Sequence, residues 1–393
     1  MPDPRYPSVA RDAIRALRGS KIREIANAGM HDPQVLPFWF GEPDLVTPGF
    51  IRDAAVASLA RGETFYSQNF GIPELRDAIA RYVTRLHGPT SDCSIAVTAS
   101  GMSALMLAVQ ALVAPHDHVV AVTPLWPNLV EIPKILSAHV TSVPLQFGEG
   151  GWTLDIDRLL MELRPGTRAL MINSPNNPTG WTIDRESQRA LLDHCTRLGI
   201  WIVADDVYER LFFRGSDCAP SFLDIADRQA RVVSTNSFSK AWLMTGWRLG
   251  WMVAPEALMP EIGKLIEYNT SCSPVFVQRA GVAAIVDGEA TARQTCERLR
   301  RARDRLVGAL QHAPRVQANA PPGAMYAFFG IDGVEDSMTF CRRLVHEARL
   351  GLAPGIAFGP EGEGFVRWCF AASDERLDLG VSRLVDFLRK ERG

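Results

Sequence analysis

Short apolar runs alternate with amphipathic segments between about Ser94 and Ala254, and this alternation constrains the fold more than any other feature. Each run is rich in valine and isoleucine and is bounded by turn residues, as buried strands are. Seven runs have this form: SIAVTAS, HVVAVTP, HVTSVPL, RALMINSP, IWIVADD, RVVSTNSFSK and RLGWMVAP. Helical patterns lie between several of them. The sequence therefore predicts an α/β fold whose large domain has a mostly parallel seven-stranded sheet flanked by helices.

The pattern changes towards the C-terminus, where a long charged helix, two strand-like pieces and a closing helix follow one another. They are EATARQTCERLRRARDRLVGALQ, AMYAFFGI, GFVRWCFA and DERLDLGVSRLVDFLRKER. These elements predict a smaller α+β domain over residues 286–393. Residues 1–48 form a segment that is too short and too interrupted by proline to be a domain, and we expect it to pack on the small domain. Residues 49–285 then form the large domain.

Composition excludes several classes of protein. The chain has 393 residues, of which 47% are hydrophobic and 22% charged, and its formal net charge is −2. This balance gives no basic surface for nucleic acid. No apolar run approaches the ~18 residues of a membrane span, and the N-terminus lacks the apolar core of a signal peptide, so we predict a cytoplasmic protein. The seven cysteines are widely spaced, which predicts reduced thiols. The HDH at His116–His118 has no third ligand cluster, so no metal site is predicted.

Polar residues follow the ends of several predicted strands. Ser100 and Gly101 come soon after IAVT, and TPLWPN follows VVAV. NSPNNPTG follows ALMI, and Asp205 follows WIVA. Because ligands bind outside the carboxyl ends of strands in open α/β sheets, these residues are expected to converge on one site.

Lys240 and Arg248 lie in the segment SFSKAWLMTGWRLGW, which is otherwise mostly apolar. A lysine amine can form a Schiff base with a carbonyl cofactor if burial or nearby cations lower its pKa. Arg248 is such a cation and can also bind a phosphate through its planar fork of donors. Ser237 and Ser239 can add hydroxyl donors. The alternative is that both charges are simply solvated.

Each of the next candidates has a functional interpretation and an ordinary structural one. The turn TASGMSAL can bind phosphate at a helix N-terminus or be a plain strand-to-helix turn. Trp126 can stack on a flat ligand or lie in the core. Asn177 lies in the rigid loop NSPNNPTG, which can hold an amide against a ring oxygen or be only a turn.

Acidic and basic residues at two other strands complete the candidates. Asp205 and Asp206 can pair with a protonated ring nitrogen or cap a helix, and Tyr208 can donate to a phenolic oxygen. Alternation in GFVRWCFA places Arg367 on one face with Phe365 and Cys369. An arginine among apolar residues must find an anion, which is either a substrate carboxylate or an internal acid.

These segments resemble blocks of the fold-type I, class I and II aminotransferases of the aspartate aminotransferase superfamily, which use pyridoxal 5′-phosphate. SFSKAWLMTGWRLGW resembles the lysine signature of that family. Further matching blocks occur in the family's order over nearly the whole chain: GEPDLVTP, YSQNFGIPELRDAI, NSPNNPTG, ADDVYERL, PPGAMYAFF and FGPEGEGFVRWCFA. The resemblance implies that the large domain is the cofactor-binding domain and that the enzyme is a ping-pong transaminase.

The resemblance also implies a role for each matching residue. Lys240 would form a Schiff base with the cofactor and then move the proton between the substrate Cα and the cofactor carbon. Asp205 would pair with the pyridinium nitrogen, which makes the ring an electron sink. Asn177 and Tyr208 would hydrogen-bond the phenolate oxygen, and Trp126 would stack on the ring.

The phosphate and substrate contacts follow from the same resemblance. The phosphate would be held by Ser100, Gly101, Met102, Ser237 and Arg248. Tyr66 would reach the phosphate in the neighbouring subunit, which implies a homodimer with shared active sites. Gly41, Asn177 and Arg367 would receive the substrate, with Gly41 and Arg367 on its α-carboxylate.

The chain departs from the family pattern at Met102, where many relatives carry serine, threonine or lysine, and at Ala241 and Trp242 after the lysine. These departures leave the mechanism intact and leave the substrate open. No second arginine for a distal carboxylate is assignable, which favours neutral, apolar or aromatic substrates. The same residues would also serve a C–S β-lyase or a decarboxylase. A non-catalytic binding protein with this domain is a further alternative, although it would be expected to lack Lys240.

Overall fold

A computed structural model describes residues 10–391 of the chain. Its strands are β1 (Leu36–Pro37), β2 (Ile95–Thr98), β3 (His118–Thr123), β4 (His139–Pro144), β5 (Gln146–Gly148), β6 (Gly151–Thr153), β7 (Thr167–Asn173), β8 (Trp201–Asp205), β9 (Val232–Ser237), β10 (Gly250–Val253), β11 (Val316–Gln317), β12 (Tyr326–Ile331), β13 (Leu350–Gly351), β14 (Ala353–Pro354) and β15 (Phe365–Cys369). The first nine residues of the predicted N-terminal segment lie outside the described range.

The helices flank these strands and connect them. They are α1 (Asp12–Arg15), α2 (Lys21–Gly29), α3 (Gly49–Ala60), α4 (Pro73–His87), α5 (Gly101–Leu112), α6 (Pro127–Ile135), α7 (Ile156–Glu162), α8 (Arg185–Leu198), α9 (Met259–Glu267), α10 (Val275–Asp287), α11 (Glu289–Leu310), α12 (Ser337–Ala348) and α13 (Asp374–Lys390). No helix in the described residues is long and apolar enough to cross a membrane. All seven cysteines are free thiols.

The seven predicted apolar runs form one seven-stranded sheet, so this prediction is confirmed. The strand order is β2-β10-β9-β8-β7-β3-β4. Only β10 in this sheet runs antiparallel to its neighbours. The other strands are parallel, and helices cover both faces. Strands buried on both faces can be apolar at nearly every position, which is why these short runs were recognisable in the sequence.

The antiparallel strand β10 begins at the edge of the sheet where β9 ends. Gly250 pairs with both Ser237 and Thr98, which are the last residues of β9 and β2. The connection between β9 and β10 therefore starts and finishes at the carboxyl edge of the parallel strands. Lys240 and Arg248 lie in this connection, so the topology brings both to the same edge.

Helix α8 illustrates how local sequence sets the element boundaries. The Asp184 carboxylate accepts a hydrogen bond from the Ser187 amide at 2.8 Å and caps the first turn. Gly199 ends the helix with a left-handed backbone at φ 70°, which glycine adopts without a Cβ penalty. Residue types that favour a helix start and a helix stop therefore mark both ends of α8.

A second sheet of four antiparallel strands lies in the C-terminal part, in the order β11-β12-β15-β14. One hydrophobic cluster joins this sheet to α11, α12, α13 and residues of the N-terminal segment, including Ile25, Phe38 and Trp39. Strand β1 of that segment pairs with β13. This packing places residues 39–42 and Arg367 beside the large sheet. The division of the chain at residues 48 and 285 stays a prediction.

A buried ionic network lies beside the turn that follows β8 and carries Tyr208 and Glu209. His87, at the end of α4, hydrogen-bonds Asp224 at 2.6 Å and Glu209 at 3.0 Å. Burial alone would lower the pKa of His87, but these two carboxylates raise it to about 10. The imidazolium thus neutralises acids that would otherwise repel one another below the sheet edge.

We predict that His87 makes stability fall as the solution becomes alkaline. Its folded-state pKa lies above the unfolded value of about 6.5, so its contribution is complete below that value and is lost as pH rises through about 10. Urea unfolding between pH 6 and pH 10 should give a steeper decline for the wild type than for His87→Gln. The exposed His346→Gln is the control and should follow the wild type. Parallel curves for His87→Gln and the wild type would contradict this role.

Candidate active site

A cavity of about 590 Å³ opens at the carboxyl edge of the seven-stranded sheet. Parallel strands, the β9–β10 connection, the N-terminal segment and the C-terminal sheet all contribute to its wall. Eleven of the predicted site residues line it: Gly41, Gly101, Met102, Trp126, Asn177, Asp205, Tyr208, Ser237, Lys240, Arg248 and Arg367. The predicted convergence of strand ends therefore occurs, with residues 40–42 and Arg367 added from outside the large sheet.

Lys240 is partly buried in this cavity, three residues after β9 ends. Its Nζ donates to the carbonyl oxygen of Gly41 at 2.5 Å and lies 5.8 Å from the centre of the Tyr208 ring. Burial lowers the pKa of Lys240 to about 8, and the positive charges of Arg367 and Arg248 act in the same direction. The neutral, nucleophilic amine is therefore more accessible near neutral pH than it is for a solvated lysine.

Asp205 ends β8 and is buried with its carboxylate at the cavity. Its Oδ1 accepts from the Val207 amide at 3.3 Å, and no cation among the described residues forms an ion pair with it. Burial raises the pKa of Asp205 to about 7. The adjacent Asp206 points elsewhere and accepts from Ser234 and Ser221 at 2.6 and 3.0 Å. Only the first aspartate of the pair is therefore available to a ligand.

The N-terminus of α5 forms a cradle for an anion. The Ser100 hydroxyl caps this helix by accepting from the Ser103 amide at 3.1 Å, while Gly101 and Met102 line the cavity. A Cβ on Gly250 would overlap the backbone of Ser100 and Gly101, so β10 can pack this closely only with glycine. Helix N-termini attract anions through free amides and the helix dipole.

Ser237 and Arg248 add side chains to this cradle. The Ser237 hydroxyl donates to Ser239 Oγ at 2.8 Å. Arg248 adopts a left-handed backbone at φ 54°, and its guanidinium donates to the Thr245 carbonyl at 2.6 Å. Since that bond uses one of five donors, the fork remains open to an oxyanion.

Arg367 is a buried cation without an acidic partner among the described residues. It lies on β15 and is only 2% exposed. One terminal nitrogen donates to Asn177 Oδ1 at 2.9 Å, the other donates to the Trp39 carbonyl, and Nε has no partner. The guanidinium carbon lies 4.4 Å from the centre of the Tyr326 ring. The alternative was that an internal acid pairs with this arginine. Within residues 10–391, no aspartate or glutamate does so.

Tyr208 and Tyr326 form a buried hydroxyl pair at 2.7 Å. Burial raises the pKa of Tyr208 well above its usual value and that of Tyr326 to about 12, so both hydroxyls stay protonated. A Cβ on Gly41 would overlap the Tyr326 hydroxyl, which explains the glycine there. The Asn177 amide nitrogen donates to none of the described residues and remains available at the cavity.

Trp126 and Met102 line the cavity and also pack against the core below it. The Met102 sulfur accepts from the Asn128 amide nitrogen at 3.3 Å, so its side chain faces this neighbour. Two predicted residues do not line the cavity. Ser100 is buried directly behind it at the start of α5, whereas Tyr66 is 90% exposed.

Several cavity residues were not assigned from the sequence. Asn173, at the end of β7, donates to the Asp205 carbonyl at 2.9 Å and accepts from the Asn177 amide at 2.7 Å. Tyr326 lies in the block PPGAMYAFF, whose pattern gives a strand and no side-chain role. Arg23 and Glu42 also line the cavity. Asn173 begins the block NSPNNPTG and Glu42 follows Gly41, so both lie in segments that the sequence analysis had singled out. Arg23 and Tyr326 come from segments distant in sequence, and for these two only the folded chain shows the contact.

Comparison with known proteins identifies the family of this chain. The family model for aminotransferase class I and II matches residues 34–384. This chain belongs to that family. Aspartate aminotransferase from Pyrococcus horikoshii is 33% identical over 385 residues, which are 97% of each chain. Aromatic-amino-acid aminotransferase 2 from Thermococcus litoralis is 30% identical over 97% of this chain and 98% of its own. The chain is thus an aminotransferase.

Solved structures agree with the fold assignment. A single mutant of aspartate aminotransferase from Thermus thermophilus superposes with a TM-score of 0.90 at 29% identity, covering 96% of this chain and 99% of its own. The fold-type I architecture predicted from the sequence is therefore confirmed. No group of three or more metal-binding side chains lies within residues 10–391.

We predict that the two contacts of Tyr326 have separable effects on the aminotransferase. Tyr326→Phe removes the bond to Tyr208 and keeps the ring beside Arg367, so kcat should fall about three- to tenfold with KM within about twofold. Tyr326→Leu also removes the ring and should raise the substrate KM about tenfold. Steady-state kinetics of both variants measure this split. An equal rise in KM for both variants would disprove it.

Proposed function

We propose that this aminotransferase uses pyridoxal 5′-phosphate and that Lys240 is its covalent attachment point. The observation that carries the proposal is the presence of Lys240, Asp205 and Arg367 in one cavity. Within residues 10–391, none of the three has a partner of opposite charge at bonding distance. An amine, an acid and a guanidinium that are left open in one enclosed space are suited to a ligand that is itself charged at several points.

The residues present fit this cofactor. The α5 cradle with Ser100, Gly101, Ser237 and Arg248 suits its phosphate. The buried carboxylate of Asp205, which pairs with no cation among the described residues, suits a protonated ring nitrogen. Asn177 and Tyr208 supply donors for the phenolate oxygen, and Trp126 supplies a flat face. When bound, the cofactor supplies an aldehyde that condenses with amines and a ring that stabilises negative charge on the substrate carbon.

Lys240 moves the proton in the proposed reaction. Its amine, whose pKa is lowered to about 8, takes the proton from the substrate α-carbon at Nζ and later returns one to the reacting centre. The Gly41 carbonyl, 2.5 Å from Nζ, holds the amine in place between these transfers. An acid or base held at the reacting atoms contributes about 10²- to 10⁴-fold to the rate.

Arg367 orients the substrate by binding its α-carboxylate, with Gly41 beside it. The guanidinium is already fixed by Asn177, Trp39 and the Tyr326 ring, so little side-chain freedom is lost on binding. The 2-oxo acid of the second half-reaction carries the same carboxylate and occupies the same place. Two substrates that use one site in turn give ping-pong kinetics.

We further propose a homodimer in which Tyr66 completes the neighbouring active site. Its 90% exposure leaves it free to contact another chain. Residues 45–66 expose further large apolar side chains: Leu45, Val46, Phe50, Val56, Leu59 and Phe65. Tyr268 is exposed as well. Apolar residues exposed in such number favour an interface between chains. A cytoplasmic location stays a prediction.

Reduction with borohydride should fix the cofactor to Lys240. After incubation of the wild type with pyridoxal 5′-phosphate and borohydride, peptide mass spectrometry should place a phosphopyridoxyl group on the tryptic peptide that contains Lys240. Lys240→Ala should remain unlabelled there and should lose at least about 10³-fold in transamination rate. Lys264→Ala, on the exposed part of α9, is the control. Labelling of the wild type only at other lysines would refute the attachment point.

Mixing two inactive variants tests the shared site. Tyr66→Ala and Lys240→Ala should each have low activity as homodimers. Refolded together in equal amounts, they form heterodimers in which one of the two sites has Lys240 from one chain and Tyr66 from the other. About a quarter of wild-type activity should return, since about half of the dimers are mixed. A mixture no more active than Tyr66→Ala alone, or a monomeric active enzyme by sedimentation, would contradict the model.

A further inference from the structure

Four cations and two carboxylates line the active-site cavity. The cations are Arg23, Lys240, Arg248 and Arg367, and the acids are Glu42 and Asp205. Under the proposed function, three of the cations and Asp205 are engaged by the cofactor and by the substrate α-carboxylate. Arg23 and Glu42 remain to face the rest of the substrate.

Glu42 already has a partner within the protein. Its carboxylate accepts a hydrogen bond from the Thr245 hydroxyl at 2.6 Å. It also acts electrostatically on Lys240, where it opposes the lowering of the amine pKa. Glu42 therefore has interactions with the cavity wall that do not require a substrate.

Arg23 pairs with no carboxylate among the described residues. Its guanidinium carbon lies 4.7 Å from the centre of the Phe40 ring. The next residue of α2, Glu24, forms an ion pair with Arg342. Stacking on Phe40 uses the flat face of the guanidinium and leaves the donors at its edge free, so the group can still bind an oxyanion.

The first turn of α2 holds this arginine at the cavity. The Ser20 hydroxyl caps the helix by accepting from the Arg23 amide at 3.2 Å, and Ser20 and Ile22 line the cavity with it. The cap fixes the backbone at Arg23, and the Phe40 ring is the contact made by its otherwise exposed side chain. The positive end of the helix dipole adds to the attraction for an anion.

We propose that Arg23 binds the distal carboxylate of the substrate and makes this aminotransferase select dicarboxylic amino acids and dicarboxylic 2-oxo acids. The proposal rests on the proposed function in one respect, the placing of the α-carboxylate on Arg367. It supplies the second arginine that the sequence did not reveal, and it replaces the expectation of neutral, apolar or aromatic substrates.

Kinetics with two 2-oxo acids of equal length test this selectivity. 2-Oxoglutarate and 2-oxopentanoate differ at the distal end, where one carries a carboxylate and the other a methyl group. Arg23→Gln should lower kcat/KM for 2-oxoglutarate about 10- to 100-fold and change that for 2-oxopentanoate less than about threefold. Arg23→Lys should be intermediate, since it keeps the charge without the fork. Lys21→Gln removes a charge from the same helix outside the cavity lining and should leave both values unchanged.

Ligand binding to cofactor-free protein gives a readout independent of turnover. By calorimetry, wild-type protein should bind glutarate at least about tenfold more tightly than pentanoate, and Arg23→Gln should abolish that difference. The glutarate affinity should also fall with added salt.

Three results would overturn the proposal: equal losses for both 2-oxo acids in Arg23→Gln, no loss for either, or a wild-type preference for uncharged or basic substrates. Loss of the proposed function is distinguishable, because it would appear as absent labelling at Lys240 while glutarate binding still reports on Arg23.

Discussion

The parallel direction of six strands in the large sheet is the constraint on which the site depends. It brings the carboxyl ends of β2, β7, β8 and β9 to one edge, and the single antiparallel strand returns the β9–β10 connection to that edge. Asp205 and Lys240 meet there although 35 positions separate their numbers in the sequence. A register slip of β8 by one residue would turn Asp205 away and present a neighbour instead.

Incomplete pairing of buried charges is the second organising feature. In the part of the chain that the structure describes, Asp205 has no cation as partner and Arg367 has no acid, although both are at least 95% buried. Leaving a charge uncompensated in the interior costs several kcal/mol unless a ligand provides the counterion. Elsewhere in the chain, buried His87 is paired with two acids, Asp224 and Glu209. The contrast marks the cavity as the place where the counterions come from outside.

The sequence predicted the large sheet and much of the site because both depend on local pattern. Apolar runs buried on both faces mark the strands, and residues directly after a parallel strand must lie at the edge of the sheet. Arg367 was recognisable because a charge inside an apolar strand needs an explanation. Roles for Lys240, Asn177 and Tyr208 came from the family resemblance, since a lysine or a turn alone does not specify a cofactor contact.

Other contacts could not be predicted because they form between distant segments. Tyr326 meets Tyr208 across 118 positions, and nothing in the strand pattern of β12 distinguishes it from a core tyrosine. Arg23 lies in an amphipathic helix where an arginine is normally solvated. Only the packing of the N-terminal segment against the C-terminal sheet turns this side chain into the cavity. Local pattern alone does not distinguish Asp205 from Asp206, and the family resemblance singled out Asp205. In the folded chain Asp205 lines the cavity, while Asp206 bonds two serines.

A crystal structure with pyridoxal 5′-phosphate and a substrate-like inhibitor tests the central claim most directly. The claim is that the edge of the large sheet and the C-terminal strand β15 form one site, in which the cofactor and the substrate lie side by side. We expect phosphate at the N-terminus of α5, the ring nitrogen on Asp205, and the inhibitor's α-carboxylate on Arg367 within hydrogen-bonding distance. A cofactor bound away from Asp205, or an inhibitor whose carboxylate leaves Arg367 without an anion, would contradict the account.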